Sequence, residues 1–311
     1  VRAVVPGEVV EINVRDREMA GRVGERLRGA GVEVRDQVRF RGVPTNDAWV
    51  RDHGGIFVFD AGGQGALSRR VLDFEFDAWG GKYPPWGLDA AVASQMAQIL
   101  RLPSEKVDLV LEAGSIEGDG QGTILTTESC LLHPNRNRPG IDRSREGLER
   151  TLAERLGAKK VLWLGDGIVG DDTDGHIDDL TRFIGPGRVV TATESDTNDE
   201  NHGALAANRL RLSAMRDAEG RRLEVIDLPM PPRIEGPEGR LPASYANFYF
   251  ANAAVLVPVF GVERDREALA ILEELITDRP VVPIPSECLV LGLGAVHCLT
   301  QQEPSAVGEG L

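Results

Sequence analysis

Apolar positions along this chain change period repeatedly, and the changes recur in one order. Val9, Ile12 and Val14 alternate loosely, so residues 1–14 read as a half-buried strand. From 16 to 29, Met19, Val23 and Leu27 recur every fourth residue, which is one face of a helix, and Gly31 follows as a stop. Residues 32–34 and 38–40 read as short extended segments. A strand is predicted at 56–59, ended by Asp60, Ala61, Gly62 and Gly63. The aromatic, Gly/Pro-rich run at 73–87 reads as an ordered loop whose rings can wall a pocket. Leu88, Val92, Met96 and Leu100 predict a helix over 88–101, and 107–111 is a strand. The turn at 118–122 then folds 123–127 back as the second arm of a hairpin.

The succession repeats. A helix at 143–156 leads to a strand at 161–164, an extended run at 176–184, a Gly-Pro-Gly turn and a return at 188–191. A helix at 203–216, a strand at 223–228 and a Pro/Gly loop at 229–240 lead to a return at 255–257. The helix at 264–276 and the strand at 281–284 open the fifth copy. Sequence identity between copies is negligible, so only the pattern repeats. Equivalent points carry Asp52, Glu112, His176 with Asp178, Asn247 or Asn252, and Cys298, spaced by about 50–70 residues. If such modules close in a ring, the hairpin starts converge and the scattered polar motifs form one pocket. No low-complexity linker interrupts the chain, so residues 1–311 are expected to form one domain.

At 311 residues the chain can bury a large core, and 41% apolar with 27% charged residues is ordinary for a soluble globular protein. No run approaches the ~18–20 apolar residues of a membrane span, and the start at Val1 does not read as a signal peptide. The formal charge of −14 argues against sequence-independent nucleic-acid binding and would attract a small cation. Cysteine occurs at 130, 288 and 298, an odd count without CxxC spacing. That excludes a disulfide framework and a structural zinc site, and fits a reducing cytoplasm. Cys130 and Cys288 read as small buried hydrophobes.

Chemistry concentrates at 171–179, DDTDGHIDD, with five carboxylates and one imidazole in nine residues. On a strand after Gly175, His176 and Asp178 would share a face, an acid/base group beside a fixed negative charge. Cys298 follows a Gly-rich run and begins an extended segment. Its neighbour His297 would then face away, which makes His176 the better partner for a cysteine nucleophile. Asp52, Glu112 and Asp178 in one pocket, without a compensating Lys or Arg motif, would want a cation. A guanidinium suits two carboxylates through paired hydrogen bonds. A metal is the competing cation, but the acidic stretch lacks the EF-hand glycine and no second histidine stands at zinc spacing.

The motifs TNDAWVRDHGG, DAWGGKYPPW, LEAGSIEGDGQGTILTT, DDTDGHIDD, SYANFYFANAAVLVP and GAVHCLTQQ, in this order from about 41 to 304, resemble those of the agmatine deiminases. That family belongs with the bacterial-type peptidylarginine deiminases in the guanidino-group-modifying superfamily. The resemblance implies a five-bladed pseudo-symmetric α/β propeller and hydrolysis of agmatine to N-carbamoylputrescine and ammonia, with no cofactor and no metal. It implies that Cys298 attacks the guanidinium carbon, and that Asp52 and Asp178 hold its nitrogens. His176 would protonate the leaving ammonia and then activate water, with Glu112 bonding in the same pocket. Trp49, Trp79, Asn252 and Asp172 are the expected substrate-binding residues. The partner would be a small cationic guanidino compound, with no nucleic acid or membrane, and the chain a homodimer or homotetramer. Leu293 and Ala295 stand where the family usually has Gly and Asn, and Ala113 replaces a usual Gly. The Trp-rich N-terminal segment typical of agmatine deiminases is not found before Val1. Other readings of the same residues are a peptidylarginine or other guanidine deiminase, a silent polyamine-binding protein and a metal-dependent hydrolase.

Overall fold

In the computed structural model, residues 1–34, 36–61 and 67–305 are described; Gly62 and Gly63, expected to end the first hairpin strand, lie outside them. Strands β1 (Val10–Val14) and β2 (Val38–Gly42) pair in parallel, joined by helix α1 (Arg17–Gly29). The Asp16 side chain caps α1 by accepting from the Met19 amide. After the short helix α2 (Val50–His53), β3 (Ile56–Ala61) and β4 (Leu67–Glu75) form an antiparallel pair. The turn α3 (Ala78–Gly81) and helix α4 (Val92–Leu100) then lead to β5 (Ser104–Val110), which runs parallel to β4.

The rule recurs. β6 (Glu117–Gly118) and β7 (Thr123–Thr127) are antiparallel, and α5 (Glu128–Leu131) with α6 (Arg145–Leu156) cross to β8 (Lys160–Leu164), parallel to β7. β9 (Thr181–Gly185), β10 (Arg188–Thr193), α7 (His202–Ala214) and β11 (Glu224–Pro229) repeat it. Past the small ladder of β12 (Glu235–Gly236) and β13 (Gly239–Arg240), the next set is β14 (Tyr249–Phe250), β15 (Val255–Val259), α8 (Arg264–Leu275) and β16 (Val281–Pro285). Parallel neighbours need a crossover, and here each is a helix. The chain is thus α/β, with four three-stranded sheets of one design and a parallel β1–β2 pair among the described residues.

The core lies between helix and sheet in each unit. Ala268 and Leu272 of α8, for example, pack with Val255, Val257, Tyr245 and Phe248. The chain ends meet other units. Ala3 and Val4 pack beside Ala254, Leu256 and Val296. At the other end Gln301 donates to the Gly55 carbonyl at 2.7 Å, and Arg69 donates to Glu303 at 2.9 Å. Among the described residues no helix is long and apolar enough to cross a membrane.

Three local expectations need correction. Strand β4 continues to Glu75, inside the stretch expected to be loop from 73, and its start had no expected element. It is the central strand of its sheet, with Val71 and Leu72 fully buried on opposite faces, so the alternation that betrays a half-exposed strand is missing. The run expected to be extended from 176 is strand only from Thr181, and Ile177–Asp179 is a 3-10 turn. The acidic side chains cause this: Asp171 and Thr173 both accept from the His176 amide, at 3.1 Å each, and fold the segment on itself. Cys298 lies in a turn at 296–299, not at the start of an extended segment.

Candidate active site

Asp52 comes from α2, and each of its oxygens accepts one hydrogen bond. Oδ2 accepts from the Trp79 indole at 3.0 Å and Oδ1 from the Gly114 amide at 3.2 Å. Trp79 reaches it through an unusual backbone. Ala78, Trp79, Gly80 and Gly81 all have positive φ, from 56° to 89°, making α3 a left-handed turn. For Ala78 and Trp79 this costs about 1–2 kcal/mol each. Asp77 helps to hold it by accepting from the Gly80 amide at 2.7 Å.

Gly114 lies where three functional groups close in. A β-carbon there would sit 2.6 Å from His176 Nδ1, 2.7 Å from Asp52 Oδ1 and 3.2 Å from Asp178 Oδ2. His176 Nδ1 is 3.7 Å from Asp52 Oδ1 and 4.0 Å from Asp178 Oδ1, and its Nε2 is 3.8 Å from Glu112. These are ion-pair distances, too long for hydrogen bonds, and Nε2 has no hydrogen-bond partner. Asp178 sits in the 3-10 turn. Its Oδ1 is without a partner, while Oδ2 is 2.7 Å from His297 Nδ1 and 3.8 Å from the Cys298 sulfur. The Asn247 side chain completes the cluster, donating to the sulfur at 3.2 Å and to Asp179 at 3.0 Å. Asp52, Glu112, His176, Asp178, Asn247 and Cys298 are all buried.

Not every expected residue lies here. Asn252 is exposed and donates to the Gly7 carbonyl at 3.1 Å; the asparagine at the sulfur is Asn247, five residues earlier. Asp172 stands further out. It accepts from the Tyr83 hydroxyl, and the Tyr83 ring meets Trp79 edge-on with centroids 5.7 Å apart. Trp49 packs with Phe76, Ala78 and Trp79, and its ring also lies against the chain at Gly292 and Gly294. His297 faces Asp178 instead of turning away, because the segment is a turn and not a strand.

The expectation of acids without a compensating cation also fails. Arg136, in the segment HPNRN, has its Nε 3.1 and 3.0 Å from the two oxygens of Glu112. Its Nη1 donates to Asp174 at 2.6 Å, and its Nη2 to the Thr173 carbonyl at 2.8 Å. Arg51, beside Asp52 in sequence, is buried and ties down the cysteine turn: its amide donates to the Cys298 carbonyl at 3.1 Å and its side chain to Gln302 at 2.6 Å. Cys130 is fully buried in an apolar cluster, as expected, yet also adjoins the site, whereas Cys288, also expected to be buried, is exposed. Its sulfur, a Glu112 oxygen and a His176 nitrogen lie within 4.8 Å of one another, close enough to share a metal ion. The Arg136 guanidinium already pairs with both Glu112 oxygens there, so a cation would have to share them with it.

Burial governs the electrostatics. It raises Asp52, and it pushes Asp178 up to about 7. Asp179 is raised well above the usual carboxylate range by burial and by Asp178. Burial works against charge at Glu112 too, but Arg136 and His176 together outweigh it and hold that carboxyl far below its ordinary value. Burial opposes protonation of His176, yet Asp52, Cys130 and Glu112 together outweigh it and raise the imidazole well above its ordinary value. The Cys298 thiol is pushed well up, by burial first and then by Asp178, Asp179 and Asp52. A thiol and several raised carboxylates in one cluster are suited to a planar cation that restores their charge. Two surface clefts, one lined by Pro232, Glu263 and Arg264 and another beside it, hold no thiol or imidazole.

This fold and this cluster are those of a guanidino-group-modifying α/β protein. Within that class, the chain belongs to the Porphyromonas-type peptidyl-arginine deiminase family, which it matches over residues 1–304. It is 39% identical over 296 residues to the agmatine deiminase of Ectopseudomonas mendocina, covering 88% of this chain and 78% of that one. Among solved structures it resembles the agmatine deiminase of Enterococcus faecalis at 36% identity, with a TM-score of 0.86 over 97% of this chain and 85% of the other. The C. jejuni agmatine deiminase, at 29% identity, aligns with a TM-score of 0.81 over 97% and 84%.

Proposed function

We propose that this chain is a cysteine-dependent hydrolase that deiminates a guanidino compound, with agmatine as its substrate. The observation that carries the reading is the convergence of His176, Asp52 and Asp178 on Gly114, with the Cys298 sulfur 3.8 Å from the last. Similarity to agmatine deiminases over most of both chains favours agmatine over a peptide. The −14 charge also suits a dication.

In this reading the guanidinium enters between Asp52 and Asp178, which accept its N–H groups. Its charge lets Cys298 lose its proton, and the thiolate forms a bond to the central carbon. His176 gives a proton to one nitrogen, which leaves as ammonia when the C–N bond breaks. Water then attacks the S-bound thiouronium carbon with His176 as base, and the C–S bond breaks to release the ureido product and the thiol. Glu112 steadies the charged His176. The repeated units close as a five-bladed propeller in a single domain, a reading supported by the contacts of both chain ends with distant units. An experimental map with 297–304 detached from the first sheet would overturn that closure.

The test is ammonia release from agmatine, arginine and C-terminal-arginine peptides, for the wild type and Cys298→Ser. Turnover of agmatine that is lost in the variant supports the reading. Turnover of none of these compounds, or full turnover by the variant, overturns it.

A further inference from the structure

His297 is a buried imidazole to which the mechanism above gives no task, yet it makes the shorter of the two hydrogen bonds to the Asp178 carboxylate among the described residues. A ring nitrogen 2.7 Å from a carboxylate oxygen needs a proton between them. Burial, together with the guanidiniums of Arg182 and Arg51 and with His176, keeps the ring from taking a second one. Above about pH 7, where Asp178 is ionised, that proton is on the ring and His297 is a neutral donor through Nδ1. Its own position is fixed: the Asn247 Oδ1 accepts from the His297 amide at 2.9 Å, and the Thr300 hydroxyl donates to its carbonyl at 2.8 Å. The same Asn247 donates to the Cys298 sulfur at 3.2 Å, so one side chain sets both His297 and its neighbour.

We infer that His297 is a positioning residue: its Nδ1–H pins the Asp178 oxygen nearest the Cys298 sulfur and leaves the other oxygen free for the substrate. The inference rests on Cys298 being the nucleophile and Asp178 a guanidinium ligand. Two consequences follow from the distances. The pinned Oδ2 is the one 3.8 Å from the sulfur, so the N–H draws its negative charge away from the forming thiolate. Oδ1, without a partner, keeps its lone pairs for an incoming N–H. Without the pin, the carboxylate can rotate and both effects are lost. The charged groups around the sulfur are Asp178, Asp179 and Asp52, and those around His297 are Arg182, Arg51, His176 and Asp178.

The test compares His297→Ala, His297→Asn and His297→Gln. The asparagine amide nitrogen can take the place of Nδ1; the glutamine amide lies one bond further out. Agmatine kinetics are read together with the pH midpoint of iodoacetamide alkylation, followed by mass on the Cys298 peptide without substrate. For the alanine variant we expect kcat to fall by about 10²-fold and the alkylation midpoint to rise by about one pH unit. Asparagine restores most of both, and glutamine does not. An unshifted midpoint in the alanine variant, or an asparagine variant as damaged as alanine, overturns the assignment. If alanine prevents folding by circular dichroism, the contrast of asparagine with glutamine decides alone. Wild-type protein that releases no ammonia from agmatine, yet shows this alkylation pattern across the variants, sinks the substrate reading and leaves the role of His297 standing.

Discussion

The guanidinium of Arg136 meets both carboxylate oxygens of Glu112, with its Nε at 3.1 and 3.0 Å and neither side chain exposed to solvent. The pair lies behind His176, whose Nε2 is 3.8 Å from the same Glu112. It keeps Glu112 ionised in the core, and an ionised Glu112 favours a protonated imidazole.

Breaking this pair from one side leaves a buried charge unpaired. Arg136→Met is expected to destabilise the fold by about 3–5 kcal/mol. Glu112→Gln added to it should recover part of that loss, because the orphaned charge goes with it. Urea unfolding of the two single variants and the double variant gives the coupling, and strict additivity would contradict the pairing.

Gly114 leads to a sharper functional prediction. In Gly114→Ala the new methyl must displace His176, 2.6 Å away, or Asp52, 2.7 Å away. Activity on agmatine should fall by at least about 10²-fold, while overpacking costs only about 1–3 kcal/mol of stability. Ammonia release and a thermal melt on the same sample separate the two effects. An active alanine variant would show that substrate does not bind between these side chains.

Much of this was legible in the sequence, and the exceptions share causes. The crossover helices α1, α6, α7 and α8 face solvent on one side, so their apolar spacing revealed them. β4 hides because burial on both faces erases alternation. Asp52, Glu112, His176, Asp178 and Cys298 could be picked out as chemical types on recurring motifs, and the structure brings them together. Arg136 and His297 could not: their partners Glu112 and Asp178 lie 24 and 119 residues away, and local spacing carries no trace of such pairs. The choice between Asn247 and Asn252 turned on the backbone between them, which period counting does not fix.

His53 makes a prediction about acid stability. Both its ring nitrogens are buried without hydrogen-bond partners, 4.0 Å from Asp89 at the nearest. Burial, only partly offset by Asp47, lowers its pKa to about 4. The folded state therefore binds this proton less readily than the unfolded chain. The contribution is fully present above about pH 6.5 and is lost as pH falls toward 4, at most about 3 kcal/mol from this group. His53→Met should flatten that part of the stability–pH curve, measured by urea unfolding at half-unit steps. A curve of unchanged slope between pH 6.5 and 4 would place the acid sensitivity elsewhere.

Leu293 tests how the loop before Cys298 tolerates a side chain where the agmatine deiminases usually have glycine. Its φ of 66° and ψ of 23° put it in the left-handed region, ending the 3-10 turn Val290–Gly292. Strain there costs a leucine about 1–2 kcal/mol. In return, its half-buried side chain packs against the cluster that holds Val290 and Phe248. Leu293→Gly removes the strain but also the packing, worth about 1–2 kcal/mol, and frees the unfolded chain by about 0.5–1 kcal/mol. The net change should lie within about 1–2 kcal/mol, on the destabilising side. Leu293→Val keeps part of the apolar contact but puts a β-branched side chain where φ is positive, and should lose about 2 kcal/mol or more. Glycine should thus be tolerated better than valine, the reverse of an order set by packing alone. A urea series in which valine is the more stable variant would mean that contacts, and not the backbone, decide which residue stands at this position.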